Sequence, residues 1–417
     1  MPITTDLIQR ADLEALDRDD DLAPLRDLFE IPEGVIYLDG NSLGALPKAT
    51  AARVAQVVQQ EWGQGLIRSW NDAGWMAAPG RVGDKIAKLI GAPAGSVMVA
   101  DSTSVNLFKL LGAALAARPN RRTIVSERRN FPTDLYIAEG LSALLNRGHS
   151  LCLAEPDAIE SAIDETTAVV MLTHVNYHTG AMHDMPAITR AAHAKGALVL
   201  WDLAHSAGAV PVDLLGCNVD LAVGCGYKFL NGGPGAPAFL YVAPRMQDTL
   251  RPPLTGWLGH AAPFAFEPGY RPAAGIARTL VGTPPVLSLA ALEVGIDIAL
   301  QAPMDLVRAK SVHQTTLFAT LLEQAGAPWG LRLASPRDAT RRGSQVCLAH
   351  DQAYPIMQAL IARGVIGDFR APDILRFGIT PLYTRYVDLW EASQALRHVL
   401  ATGAWQNPEY RTLRVVT

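Results

Sequence analysis

The chain has 417 residues, 49% of them apolar and 18% charged, which is the make-up of a folded protein too long for one core and suited to two domains. Its formal charge of -4 leaves no basic field for a nucleic-acid backbone, so no nucleic-acid partner is expected. The arginine pairs Arg121-Arg122 and Arg128-Arg129 read as solvated surface.

The N-terminal stretch from Met1 to Asp20 is polar and acidic, unlike a secretory leader. No apolar run reaches the roughly 18 residues a membrane span needs, so no membrane partner is expected. The cysteines Cys152, Cys217, Cys225 and Cys347 form no CxxC pair and no zinc-like spacing. Reduced thiols in a cytoplasmic protein are the expectation, with no metal.

In chain order, residues 1–45 read as an N-terminal arm that joins the smaller domain and ends in the loop Leu38-Asp39-Gly40-Asn41-Ser42-Leu43-Gly44. Residues 46–295 read as the larger domain. Within it, apolar strand-like runs at 97–100, 123–126, 168–173, 197–203, 219–224 and 236–242 alternate with helical stretches such as 105–117 and 186–195. Several runs are apolar on both faces, the pattern of a mostly parallel, doubly wound sheet covered by helices. Thr283-Pro284-Pro285 interrupts the chain, and a helical pattern then covers 286–300. Residues 296–417 read as a smaller α/β domain, with helices over 304–325 and 354–363 and strands over 345–349 and 375–378.

Ligands of open α/β sheets bind beyond the carboxyl ends of the strands. Trp201-Asp202-Leu203-Ala204-His205 closes one strand, and Gly226-Tyr227-Lys228-Phe229-Leu230 follows the next. A lysine and a carboxylate at the ends of consecutive strands are what pyridoxal phosphate requires. The lysine condenses with the cofactor's aldehyde, and the carboxylate keeps the pyridine nitrogen protonated. Taken singly, a post-strand Asp is often a helix cap and a loop Lys is usually solvated; the pairing favours the cofactor. Ser102-Thr103-Ser104 opens a helix after the first strand, where caps and anion sites coincide.

Several further stretches carry a family resemblance: Tyr37 to Gly44, Asn130-Phe131-Pro132-Thr133-Asp134, Asn176-Tyr177-His178-Thr179-Gly180, Trp201 to Gly208, Gly226 to Gly235, and Leu375 to Tyr383. With these, the sequence resembles the kynureninases over nearly its whole length, within the class V aminotransferase group. The resemblance implies an aspartate-aminotransferase-like α/β fold (fold type I) and hydrolysis of L-kynurenine to anthranilate and L-alanine. It assigns Lys228, Asp202 and Tyr227 to catalysis. It places Thr103, Ser104, Phe131, Asp134, Thr173 and His205 around the cofactor, with Phe131 stacked on its ring. Arg376 would bind the substrate carboxylate, with Asn41 and Trp70 also at the substrate. Trp257 and Thr283 match positions donated across a homodimer interface. One departure is Gly282-Thr283, where vertebrate relatives carry Ser-Asn; it bears on preference between kynurenine and its 3-hydroxy form.

Three rival readings fit the sequence less well. A cysteine desulfurase or selenocysteine lyase needs a nucleophilic cysteine before the carboxylate-binding arginine, and Gly364 to Arg370 holds none. A nicotinamide oxidoreductase needs G-x-G-x-x-G after the first strand, which is absent. A regulator built on this fold would need a DNA-binding segment and would not need Lys228 and Asp202.

Overall fold

The computed structural model describes residues 8–413; residues 1–7 of the N-terminal stretch lie outside it. The chain divides into two compact units. The larger comprises Ala49–Tyr177 and Met182–Leu300, and the smaller comprises Met1–Lys48, His178–Ala181 and Gln301–Thr417. The second main boundary falls after residue 300 because the helix Val286–Ala299 runs unbroken past position 295.

The larger unit is built on seven strands: β1 (Val97–Val99), β2 (Thr123–Glu127), β3 (Ser150–Ala154), β4 (Thr167–Thr173), β5 (Leu198–Asp202), β6 (Leu221–Gly224) and β7 (Phe239–Val242). They lie in the order β1-β7-β6-β5-β4-β2-β3. From β6 to β3 every pairing is parallel, and β7 is antiparallel to both of its neighbours. The apolar runs are long because the pleat feeds two cores. Val170, Leu172, Val199 and Trp201 enter one core, and Val169, Met171, Leu198 and Leu200 enter the other. Alternation by two with both faces covered is the signature of a buried parallel sheet. The helices concerned are α1 (Ala78–Leu89), α2 (Thr103–Ala117), α3 (Pro132–Leu145), α4 (Met185–Ala194) and α5 (Val286–Ala299). β3 escapes the sequence reading, since it is a short edge strand that opens on exposed Ser150 and is only half-buried through Leu151-Cys152-Leu153.

The smaller unit carries a four-stranded sheet of β8 (Arg332–Leu333), β9 (Gln345–Ala349), β10 (Asp368–Arg370) and β11 (Ile374–Gly378), in the order β8-β9-β11-β10 and antiparallel throughout. Against it pack α6 (Met304–Gly326), α7 (Ala353–Ile361) and α8 (Tyr386–Ala401). Leu375 and Phe377 of β11 join Phe318, Ile356 and Leu396 in this core, so the pleat turns Arg376 to the opposite face. The Asn176-to-Gly180 motif is divided between the units. Tyr177 sets its ring edge-on against Phe131 at 5.2 Å, whereas Gly180 accepts a backbone bond from Gly343 at 2.8 Å. Arg121 is not simply solvated; its guanidinium donates to the carbonyls of Thr167 and Lys195. No single helix among the described residues is long and apolar enough to cross a membrane.

Candidate active site

The carboxyl ends of β4, β5 and β6 and the first turns of α2 and α3 surround a cavity of about 230 Å³. Asp202 is the last residue of β5 and lies inside the strand rather than beyond it, 3% exposed. Its Oδ1 accepts from the Ala204 amide at 2.8 Å. Lys228 reaches the same space from the turn after β6, with its Nζ 3.0 Å from His205 Nε2. That nitrogen is 5.9 Å from the centre of the Phe131 ring and 5.8 Å from that of Tyr227. Phe131 is the N-cap of α3 and is 40% exposed, with Pro132 fixing the first turn behind it. Ser102 caps α2 and accepts from the Val105 amide at 3.3 Å, and Thr103 and Ser104 line the cavity from the first helical turn.

Asp134 is the second carboxylate, 1% exposed. Burial and then the charge of Asp202 hold its carboxyl well above the usual range. Asp202 is raised too, by burial, but Lys228 and the Ala204 amide pull it back. Thr173 Oγ1 lies 2.5 Å from Asn130 Oδ1 and 3.2 Å from Asp134 Oδ2, which ties the carboxyl into a buried hydrogen-bonded chain. Two close buried carboxylates titrate together, and Asp134 is the one held well above the usual range.

This donor set fits pyridoxal phosphate: an amine for its aldehyde, a buried charged carboxylate for its ring nitrogen, an aromatic face, and a helix N-terminus bearing hydroxyls for its phosphate. Sequence reasoning passed over two contributors. Asn130 is 4% exposed and joins Thr173 to the Phe131 amide. Cys225 lines the cavity immediately before Gly226, and burial raises its thiol. The available signal was position: Asn130 opens the motif that holds Phe131 and Asp134, and Cys225 immediately precedes the one that holds Lys228.

Trp257, Thr283 and Trp70 do not line this cavity. Trp257 is 40% exposed and packs edge-on against Phe264 at 5.7 Å. Thr283 is exposed beside a separate cavity of about 60 Å³. Trp70 is half-buried and edge-on to Trp75 at 5.5 Å. Arg376 and Asn41 belong to the smaller unit, at 1% and 0% exposure, and meet there through the loop that ends the N-terminal arm. The buried Cys347 of β9 has its thiol pushed up to about 11, the opposite of what a nucleophilic cysteine needs.

The kynureninase C-terminal domain family matches residues 307–396, and the DegT/DnrJ/EryC1/StrS aminotransferase family matches residues 138–215. Among solved structures, the apo cysteine desulfurase of Thermococcus onnurineus NA1 superposes with a TM-score of 0.77 at 18% identity, covering 91% of this chain and 98% of that one. A C-DES variant with glycine covalently linked to its PLP cofactor gives 0.77 at 15%, covering 89% and 98%. Identities this low speak to the fold, which is that of the type I pyridoxal-phosphate enzymes. A kynureninase from Burkholderia pseudomallei (strain 1106a) is 57% identical over 413 residues, spanning 98% of this chain and 99% of the relative. With that likeness running through both units, the chain belongs to the kynureninase family.

Proposed function

We propose that this protein uses pyridoxal 5'-phosphate to hydrolyse the Cβ–Cγ bond of L-kynurenine, releasing anthranilate and L-alanine. The observation that carries the reading is the cavity holding Lys228 and Asp202 in a chain 57% identical to a kynureninase along its length. When bound, the cofactor withdraws electrons from the substrate's Cα and stabilises charge there and at Cβ.

Lys228 would carry the cofactor on its Nζ, and that amine, once free, would take the Cα proton and return one. Asp202 would keep the ring nitrogen protonated, with Asp134 and Thr173 alongside and His205 beside the lysine. Phe131 would cover the ring. Thr103, Ser104 and Tyr227 would hold the phosphate, with the Tyr227 hydroxyl as a proton donor near it. Arg376 takes the substrate carboxylate as a planar two-pronged donor, supported by Asn41.

The purified protein should be yellow and should release anthranilate from L-kynurenine. Lys228→Ala should lose turnover by on the order of a thousandfold or more and keep no cofactor fixed by borohydride. Cofactor still fixed covalently in that variant would move the attachment to another lysine. Exposed Trp257 and Thr283 fit a homodimer in which each copy donates them to its partner. Light scattering should return twice the chain mass, and a fully active monomer at high dilution would overturn this.

A further inference from the structure

Asp39, Asp368 and Arg370 have no place in the chemistry above, yet in the smaller unit they form one cluster with Arg376. β10 and β11 pair with Asp368 opposite Arg376. An isolated bridge between Asp39 and Gly378 brings the loop of residues 39–42 to the end of β11. The approach needs glycine twice: a Cβ on Gly40 would overlap Thr380 Oγ1 and the Tyr383 hydroxyl, and one on Gly378 would overlap the Asn41 side chain.

Asp368 Oδ2 lies 2.5 Å from Nη2 of both Arg370 and Arg376 and accepts from Ser42 Oγ at 2.8 Å. Arg376 Nη2 also donates to Ser42 Oγ at 2.6 Å. Assigned from its neighbours, the Asn41 amide turns its nitrogen to Asp39 Oδ1 at 3.2 Å and its oxygen to Arg376 Nε at 3.3 Å, in place of a bond from Nδ2 to Gln345 Oε1. The reverse orientation would set oxygen against carboxylate and nitrogen against guanidinium. Two guanidiniums therefore face two carboxylates, in balance.

A substrate carboxylate arriving at Arg376 brings a third negative charge. Balance returns only when one of the two aspartates takes a proton. Asp368 touches both guanidiniums directly, whereas Asp39 is joined to Arg376 through the Asn41 amide and the Ser42 hydroxyl, so Asp39 yields. We propose that Asp39 is a positioning residue that takes up a proton as the substrate carboxylate binds Arg376, so that affinity for the amino-acid end of the substrate falls as pH rises. This rests on the reading of Arg376 given above.

The charged and titratable groups facing Asp39 are Asp368 and Arg370 on β10, Arg376 on β11, Tyr37 and Tyr383. Burial raises both phenols, which stay neutral. Burial and then Asp368 raise the Asp39 carboxyl to about 7, against the opposing pull of Arg376, a bond from Ser42, and Arg370. Below that pH the proton is already in place; above it, it must come from solvent.

KM and kcat of the holoenzyme for L-kynurenine, followed from about pH 6 to about pH 9, test this. KM of the native protein should climb by up to about tenfold per pH unit above neutrality. In Asp39→Asn that component should vanish from KM while the shape of the kcat profile stays, and Asp39→Glu should restore it. Titration of the substrate's own ammonium is common to all variants and cancels in the ratio of KM values. A ratio that stays constant with pH overturns the proposal, and Asp39→Ser supplies the same neutral comparison should Asp39→Asn fold poorly. Arg376→Lys separates the two readings: KM raised at every pH upholds Arg376 as the carboxylate site, while an unchanged KM removes that reading and this inference together.

Discussion

The two units bury charge in opposite ways. In the larger, two carboxylates, Asp134 and Asp202, share a cavity with one lysine, and both are raised by burial, Asp134 well above the usual range. In the smaller, Asp39 and Asp368 face Arg370 and Arg376 in equal number. A carboxylate surplus is the environment that suits a cation, whereas a balanced cluster must shift a proton to take in a further anion.

The sharpest test of that contrast is within the larger unit. Asp202→Asn removes the carboxylate proposed to face the ring nitrogen and should cost about 3–5 kcal/mol, on the order of two-hundred- to five-thousandfold in kcat/KM. Asp134→Asn keeps the shape of the carboxyl that is held well above the usual range and should cost under about tenfold, the worth of one neutral hydrogen bond. Steady-state kinetics on both variants decide the matter, and a larger loss for Asp134→Asn would reverse the roles of the two carboxylates. The smallest expected effect lies outside both clusters, at exposed Thr283. Plain L-kynurenine should be preferred over its 3-hydroxy form because a poorly paired added hydroxyl costs about 1–3 kcal/mol. Thr283→Asn offers an amide to that hydroxyl and should narrow the gap in kcat/KM by up to about tenfold. A native protein that uses the hydroxylated substrate as well or better would end the idea and leave the rest standing.

Much of the larger unit is legible in the sequence, because a buried parallel sheet writes itself as apolar runs with chemistry at their ends. Six of the seven strands appear that way, and Asp202, Tyr227 and Lys228 are found by looking just beyond or at the run. The strand that escapes, β3, is the edge strand, whose start is half exposed and whose pattern is diluted. The Asp134–Thr173–Asn130 chain is not legible, since its members come from separate elements that only the fold brings within hydrogen-bond distance. The Asp368–Arg376 pair is hidden for a different reason: partners in an antiparallel ladder are set by register, and nothing in the segment Gly364 to Arg370 announces the residue opposite. The arm's closing loop reads as a motif, yet why it needs Gly40 emerges only from the Thr380 and Tyr383 side chains that fill the space.

The parallel sheet has a consequence for how the protein comes to life on or off the ribosome. Parallel neighbours cannot form by a local turn, and each must wait for a longer connection to cross over, so such sheets gather slowly and cooperatively. The cavity takes Thr103, Asp134, Thr173, Asp202 and Lys228 from at or beyond the ends of five strands, β1, β2, β4, β5 and β6. A half-assembled chain therefore holds only part of the site. Cofactor capture comes after the last strand has docked, and the yellow colour of the bound cofactor would mark the moment at which the sheet is complete.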